Sequence, residues 1–589
     1  MYKPGLCIIL TRTSWRKQES LRKTTFSKRG IRMEVGKVLF SAVCFAIAMK
    51  YVKDRYKRAG MAFGLLFGIC QTMGKIVLAD GVNGASLVRE YGVFFLSAAM
   101  GAGGMAALSF AFLEWISKKG KISKTPKRFQ SFPVLYALIL VCYLPCFIAY
   151  FPGCMSYDSW YITLEALGII GFDNHHPFLH TLLWSIFAHM DEWLGIKQIG
   201  IMLYTTTQLL AMAAVYAYTC VWISGRNLAG PVKKIAYIYY AFNPVFHIFT
   251  LILTKDVLFS GFFLLLNITL ADFLENMFEN SDQKDQRTDL TLRNSSPQGK
   301  RMQMRLTVLL LLCCLFRNNM IYVVIAFTVF LCFLTRKSFL RFKSFFLAIL
   351  LFYIITKVVY PGIGVAGGSV KEMLSVPLSQ IAAVYHKEGA NIGAEEKRLI
   401  NQYMPGVERY DRFFADPVKG DFNESAFEEN RGEFFHMWGN FLGKYPVVCG
   451  EAFLALNLPF WYPEMESVRE YIETDNYSQD YPVVRKGWLP QVYNWYETVS
   501  ENEAVWMHLP VMKQLYSIGV PVWVLLFFGI RYGLGKRKAA LSVIVLNILL
   551  WMTYLLGPVS SFRYAEPLFL TYPLWLALCS QPAQTNALA

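Results

Sequence analysis

Two stretches of one segment carry residues whose types and spacing could do chemistry. The chain reads Phe151-Pro-Gly-Cys-Met-Ser-Tyr-Asp158-Ser-Trp160 and then Gly171-Phe-Asp173-Asn-His175-His176-Pro177-Phe-Leu-His180-Thr181. Pro177 suits the first turn of a helix, where its missing N–H costs nothing, and Asp173 or Asn174 can cap that start. His176 and His180 then stand at i and i+4 on one helical face. Such a pair could bind zinc or donate to a phosphate, although HxxxH without further ligands is a weak metal signal. Asp158, flanked by Tyr and Trp just past an apolar run, could meet both water and a lipid headgroup. The bland reading is a solvated loop acid.

Other ionisable residues interrupt apolar sequence. Lys255-Asp256 lies within Leu-Thr-Lys-Asp-Val-Leu-Phe, Arg317-Asn318-Asn319 breaks an apolar stretch, and Arg563-Tyr564 follows Gly557-Pro558-Val559-Ser560-Ser561. Ionisable groups in or beside a bilayer are costly, so each is a site candidate by default. The alternatives are snorkelling for Lys255 and helix capping for Asp256. Taken together, Asp158, His176, Lys255, Arg317 and Arg563 fall on one membrane face in the topology below. Cations converging with one carboxylate suit a phosphate-bearing lipid, with positive groups holding the phosphate and the acid taking a proton.

The elements that must position these residues are membrane helices. Of 589 residues, 55% are hydrophobic and 17% charged, against about 45–50% and about 25% in soluble domains. The apolar residues gather in long runs, which excludes disorder, a fibre and a soluble multidomain enzyme. The net charge of +17 is unevenly placed: residues 361–510 hold 12 Lys/Arg against 22 Asp/Glu, so the remainder carries +27, mostly beside apolar runs. That is the positive-inside pattern and not a nucleic-acid footprint. The 12 cysteines lie mostly inside apolar segments and form no disulfide framework or CxxC ligand set.

At about 20 apolar residues per crossing, candidate spans are 35–51, 61–79, 91–115, 133–151, 198–223, 235–252, 256–274, 306–316, 320–334, 344–360, 512–530, 541–557 and 567–580. The basic run Lys118–Arg128 fixes one cytoplasmic loop and makes 152–197 the first large outer loop. The stretch 306–334 crosses either once or twice. Two short helices breaking at Arg317-Asn318-Asn319 keep Arg531–Lys538 inside, so two crossings are preferred, with Arg317 near the outer face. The basic residues 1–34 then fall outside. Either residues 1–32 are a mis-called start before Met33, or they are a genuine basic cytoplasmic tail and one of the first three spans does not cross. No cleavable signal peptide is evident. Residues 361–510, rich in Trp, Tyr, Pro and charge (Trp461, Trp488, Trp495, Trp506), read as a mixed, mostly helical extracytoplasmic domain against the bilayer, with Tyr445–Pro463 an interfacial element.

The resulting expectation is an all-α polytopic membrane protein of about 11–13 transmembrane helices. Residues 33–130 form an added three-helix segment, 131–360 a transmembrane module, 361–510 the outer domain and 511–589 the last helices.

A first outer loop with an acid followed by a His-Pro helix resembles the GT-C class of integral-membrane glycosyltransferases. Several strings occur in order from about 133 to 580. They are Ser156-Tyr-Asp158-Ser, His176-Pro-Phe-Leu-His180-Thr181, Lys255-Asp256-Val-Leu-Phe, Arg317-Asn-Asn, Ser375-Val-Pro377-Leu-Ser-Gln380-Ile-Ala, Ala415-Asp416-Pro417-Val-Lys419 and Gly557-Pro558-Val with Arg563-Tyr564. Together they resemble a bacterial family of GT-C-like multi-pass proteins known only as a domain of unknown function. The resemblance implies a GT-C-like bundle in the cytoplasmic membrane. Its activity would be sugar transfer from a polyprenyl-phosphate donor to an envelope glycan, lipid or protein on the outer face. It carries the role of base to Asp158 and of phosphate ligand to Lys255, Arg317 and Arg563. His176 becomes a donor to phosphate or sugar, with His180 beside it, and Asp173 a second-acid candidate. Some relatives carry paired acids as D-x-D or E-x-D in this loop. Here only isolated acids occur, which argues against a divalent metal.

A second reading is a multi-pass transporter or lipid flippase of envelope biogenesis. Transporters commonly show paired repeats and charges at mid-bilayer, whereas this chain shows no internal repeat and its polar clusters sit at one face. A third is an envelope sensor or scaffold, in which the candidate residues would tolerate substitution.

Overall fold

A computed structural model describes residues 28–79, 84–119, 131–226, 228–279, 297–335, 339–465, 475–476, 480–501 and 516–580. The amino-terminal 27 residues, most of the basic run 118–128 and Trp506 lie outside the described residues. Within them, regular structure is helical apart from two pairs of two-residue strands. Six helices are long and apolar enough to cross a membrane: Asp54–Ala79, Tyr91–Ile116, Phe132–Ala149, Ile199–Gly225, Lys255–Phe278 and Lys343–Gly362. Met320–Thr335, Val520–Leu534 and Lys538–Tyr554 are shorter apolar helices. The protein is thus an all-α polytopic membrane protein. Several spans expected as single helices are divided. The run 235–252 breaks at Asn243, whose side chain caps a new helix starting at Pro244, and 567–580 is divided at Thr571. The stretch 306–334 does break at Arg317-Asn318-Asn319, into helices Pro297–Phe316 and Met320–Thr335.

The chain forms two compact units, Met1–Phe112 and Leu113–Ala589. The boundary falls inside a helix. The first unit holds α1 (Lys28–Tyr51), α2 (Asp54–Ala79) and α3 (Gly84–Lys119) as far as Phe112. Gly60, Gly64 and Gly68 repeat every four residues on α2 and face Ala99, Gly103 and Ala107 of α3. A methyl at Gly60 would lie 2.7 Å from Ala107 Cβ, and one at Gly64 2.7 Å from Gly103 Cα. In lipid, where water exclusion gives no drive, such small residues let backbones close to van der Waals contact.

The second unit is built around α9. Its elements begin with α4 (Phe132–Ala149), β1 (Cys154–Met155), α5 (Tyr157–Ala166), α6 (Phe178–Ala188), α7 (Ile199–Gly225), α8 (Gly230–Phe242), β2 (Ile252–Leu253) and α9 (Lys255–Glu279). Then follow α10 (Pro297–Phe316), α11 (Met320–Thr335) and α12 (Lys343–Ile354). After residues 361–510 come α17 (Val520–Leu534), α18 (Lys538–Tyr554), α19 (Phe562–Leu570) and α20 (Tyr572–Ser580), the numbers α13 to α16 belonging to the region between. Helix α9 packs against α7, α10, α18 and α19, and its Phe259, Phe263, Leu264 and Leu274 are buried in the shared core. Its first turn is therefore held by elements from both ends of the unit. β1 and β2 pair in parallel, Cys154 opposite Ile252 and Met155 opposite Leu253, tying the start of α5 to the start of α9. Gly153, just before β1, has φ of 145°, and a methyl there would run into the Thr205 side chain, so only glycine fits the turn.

The described residues of 361–510 are mostly helical, with α13 (Ser375–Glu388), α14 (Arg431–Lys444), α15 (Pro446–Leu456) and α16 (Pro490–Glu501). The first three share a core with Leu378, Ile381, Phe434 and Phe441 fully buried, each such side chain contributing about 1.5–3 kcal/mol. The stretch 445–463 differs from a helix lying freely in the interface. One face of α15 buries Cys449, Ala452, Ala455 and Leu456, and Phe460 packs on Tyr554 with ring centroids 5.5 Å apart. Trp488 and Trp495 stay about half exposed.

The glycine contact makes a paired test. Gly64→Val is expected to lower the stability of the first unit by about 1–3 kcal/mol. Gly92→Val, where nothing lies within 4 Å of the added carbon, should stay near wild type. Detergent-denaturation midpoints of the two variants compare them directly.

Candidate functional site

The start of α5 sets the first side chain. The Ser159 hydroxyl donates to the Leu253 carbonyl of β2 and accepts the Ser156 N–H at 2.7 Å. This hydroxyl fixes the first turn of α5 beside the end of β2, two residues before Lys255. Asp158 consequently points at the first turn of α9. Its Oδ2 accepts from Lys255 Nζ at 2.8 Å and from Arg563 Nη1 at 2.5 Å, and lies 3.8 Å from His176 Nδ1. All four side chains are about nine-tenths buried. Burial alone would raise the Asp158 carboxyl, but Arg563 and then Lys255 outweigh it and hold the group well below the usual carboxylate range.

Lys255 also lies 3.3 Å from His176 Nδ1. An ammonium only donates, so Nδ1 accepts and the ring proton sits on Nε2. Burial, followed by the Lys255 charge, depresses His176 well below the usual imidazole range. The ring is therefore neutral, with an Nε2–H that has no partner among the described residues. It is a neutral donor beside two cations. Among the described contacts, two cations share the one carboxylate oxygen.

His180 faces elsewhere. The Gln208 amide NH2 donates to the carbonyls of Thr250 and Ile252 at 2.8 and 2.9 Å, so Gln208 Oε1 accepts the Tyr204 hydroxyl at 2.9 Å. The Tyr204 oxygen then accepts His180 Nε2–H at 2.8 Å. Nδ1 is left as a buried lone pair without a partner, and burial lowers the ring to about 3. His180 is expected from sequence beside His176 as a substrate ligand. In the structure it has no N–H left for an anion and instead braces α6 on α7 and β2.

Arg317 joins the cluster through an aromatic wall. Its guanidinium carbon lies 4.8 Å from the Tyr564 ring centre, 5.1 Å from Tyr554 and 5.4 Å from Phe259, and Nη1 is 3.4 Å from Asp256 Oδ1. Arg563 Nη2 donates to the Tyr564 hydroxyl at 3.4 Å. Asn318 donates to the Asn174 carbonyl at 2.9 Å, tying the helix break to the His-Pro loop.

Asp173 serves that loop's shape. Its Oδ1 accepts the His175 N–H at 2.7 Å and its Oδ2 the Tyr161 hydroxyl at 3.0 Å. Asn174 accepts from Phe178 N at 3.2 Å. The helix starts at Phe178, with Pro177 just outside it. Sequence reading overlooked Glu165, a fully buried acid on α5 that accepts the Asp173 N–H at 2.9 Å. It also overlooked Glu372, 4.0 Å from His175, and Tyr554. The signal for Glu165 was its place seven residues after Asp158, on the same side of α5. Among the described residues no group of three or more His, Cys, Asp or Glu side chains gathers as a metal site.

Fold and site together define a polytopic helical membrane protein with a buried carboxylate–cation centre at the first turns of α5, α9 and α19. The chain belongs to a family of unknown function (DUF6020), whose profile matches residues 170–587. The matched part includes Asp173, His176, His180, Lys255, Arg317 and Arg563 and begins twelve residues after Asp158. No curated protein and no solved structure matches the chain.

Burial raises Glu165 from 4.5 to about 7. The folded state then holds a proton that the unfolded chain releases above 4.5, so its stability falls as pH rises from about 4.5 to about 7 and levels off beyond. Glu165→Gln, which keeps an acceptor for Asp173 N–H, is expected to flatten that dependence and melt higher than wild type at pH 8. Melting temperatures of both proteins across pH 5–8 check this.

Proposed function

We propose that the protein is a GT-C-like glycosyltransferase. It moves a sugar from a polyprenyl-phosphate donor to a cell-envelope acceptor on the outer face of the bacterial cytoplasmic membrane. The observation that carries this reading is the contact of one buried carboxylate, Asp158, with two cations from distant helices, Lys255 and Arg563, beside the neutral donor His176.

In this reading the donor's phosphate lies against Lys255 and Arg563, with His176 Nε2–H on a phosphate or sugar oxygen. Asp158 takes the proton from the acceptor hydroxyl. The acceptor oxygen bonds to the anomeric carbon from the face opposite the phosphate. The carbon–oxygen bond to phosphate breaks with its electron pair, leaving a polyprenyl phosphate with one more negative charge. The cations stabilise that added charge where it develops. Arg317, flanked by aromatic rings, supports the Tyr564 side of the same wall.

Asp158→Asn keeps the side chain's size and removes its basicity. It is expected to lower consumption of a polyprenyl-phosphate sugar by membrane vesicles about 10²–10⁴-fold, with unchanged protein in the membrane. Turnover at the wild-type rate would remove Asp158 from the mechanism. Ion-gradient-driven substrate uptake by the wild type would favour the transporter or flippase instead.

A further inference from the structure

Cations on a carboxylate weaken it as a base, and in the resting site two of them share one oxygen of Asp158 while Oδ1 takes no part in either contact. Its Oδ2 receives Arg563 at 2.5 Å and Lys255 at 2.8 Å together, filling both lone-pair directions of that oxygen. The same two cations are the groups that any phosphate entering the site would need. Lys255 has a second resting contact, His176 Nδ1 at 3.3 Å, which a neutral ring can keep when the lysine swings from a carboxylate oxygen to a phosphate oxygen. Arg317 cannot make such an exchange freely, because Asp256 and three aromatic rings already surround it.

We infer that Asp158 occupies the anion seat of the empty site, and that an incoming phosphate displaces it by taking over Lys255 and Arg563. Anion binding is then the step that unmasks the base. The order that follows is donor first: the phosphate takes the cations, and the carboxylate regains its basicity for the acceptor hydroxyl afterwards. An acceptor arriving at the empty site meets a carboxylate held by two cations and keeps its proton. The depressed basicity of the resting carboxylate agrees with this arrangement. The use of the exchange in sugar transfer rests on the function proposed above. The exchange itself rests on the geometry alone.

The test is phosphate binding by the purified full-length protein, titrated separately with geranylgeranyl phosphate and with inorganic phosphate. Asp158→Asn removes the competing charge and should bind the probes roughly tenfold or more tightly than wild type, whereas Lys255→Gln and Arg563→Gln should bind them more weakly. Equal or weaker binding by Asp158→Asn overturns the exchange. A second measurement needs no variant: a carbodiimide that modifies carboxyl groups should label Asp158 of the wild type faster with saturating inorganic phosphate than without, read by peptide mass spectrometry. Unchanged or slower labelling also overturns it. Tightening with inorganic phosphate alone supports the exchange and assigns the seat to free phosphate in place of a lipid headgroup. Tightening with both probes, in a wild type that transfers no sugar, supports the exchange and removes the glycosyltransferase reading.

Discussion

A carboxylate withdrawn from water is tolerated only where cations reach it, and those that reach Asp158 stand 97 and 405 residues further along the chain. The order of elements in the second unit follows from that requirement. α9 is surrounded by α7, α10, α18 and α19, so Lys255 at its first turn sits where the amino- and carboxyl-terminal halves of the unit meet. α19 follows the tight Gly557–Ser561 stretch and brings Arg563 in from the far side. The β1–β2 pair, only two residues long in each strand, sets the distance between Asp158 and Lys255. Losing any one of these three placements would leave a buried charge without its partner.

The scaffold behind the cluster works by hydrogen bonds with only one possible direction. The carbonyls of Thr250 and Ile252 can only accept, so Gln208, Tyr204 and His180 each have their donor assigned in turn. On the other side, the Lys255 ammonium can only donate, which assigns the His176 proton to Nε2. Two histidines four residues apart thus carry opposite unfilled valences, an acceptor on His180 and a donor on His176. Their spacing is that of a shared ligand, yet their neighbours have separated their roles.

Much of this was legible in the sequence because polar residues in apolar surroundings are rare. Asp158, His176, Lys255 and Arg563 each stood out at the end of an apolar run, and a single topology put them on one side. The break at Arg317-Asn318-Asn319 was legible for the same reason. What could not be read was direction. Asp173 and Glu165 are both acids in one loop, and only the fold shows that Asp173 caps the His-Pro loop while Glu165 lies buried beneath it. His180 looked equivalent to His176 because periodicity reports the face of a helix and not the hydrogen-bonding partners across it. Tyr554 was hidden among the many aromatic residues of an apolar chain, since its part depends on lying against Arg317. The divided helices at Asn243 and Thr571 escaped notice because hydropathy averages across a break that costs only one or two backbone hydrogen bonds.

The cations of the site divide into two kinds, and the division follows from what else surrounds them. Arg317 has its own carboxylate, Asp256, and ring faces at 4.8 to 5.4 Å. Its charge is balanced whether or not a ligand is present, and its planar group is held by stacking that a lysine could not reproduce. Lys255 and Arg563, in contrast, meet on the single carboxylate of Asp158. An anion entering such a cluster meets cations that are already out of water, so the hydration to be lost is the anion's own. The fixed arginine shapes the wall, and the two shared cations bind; their common dependence on Asp158 is what makes the carboxylate's position conditional on the ligand's.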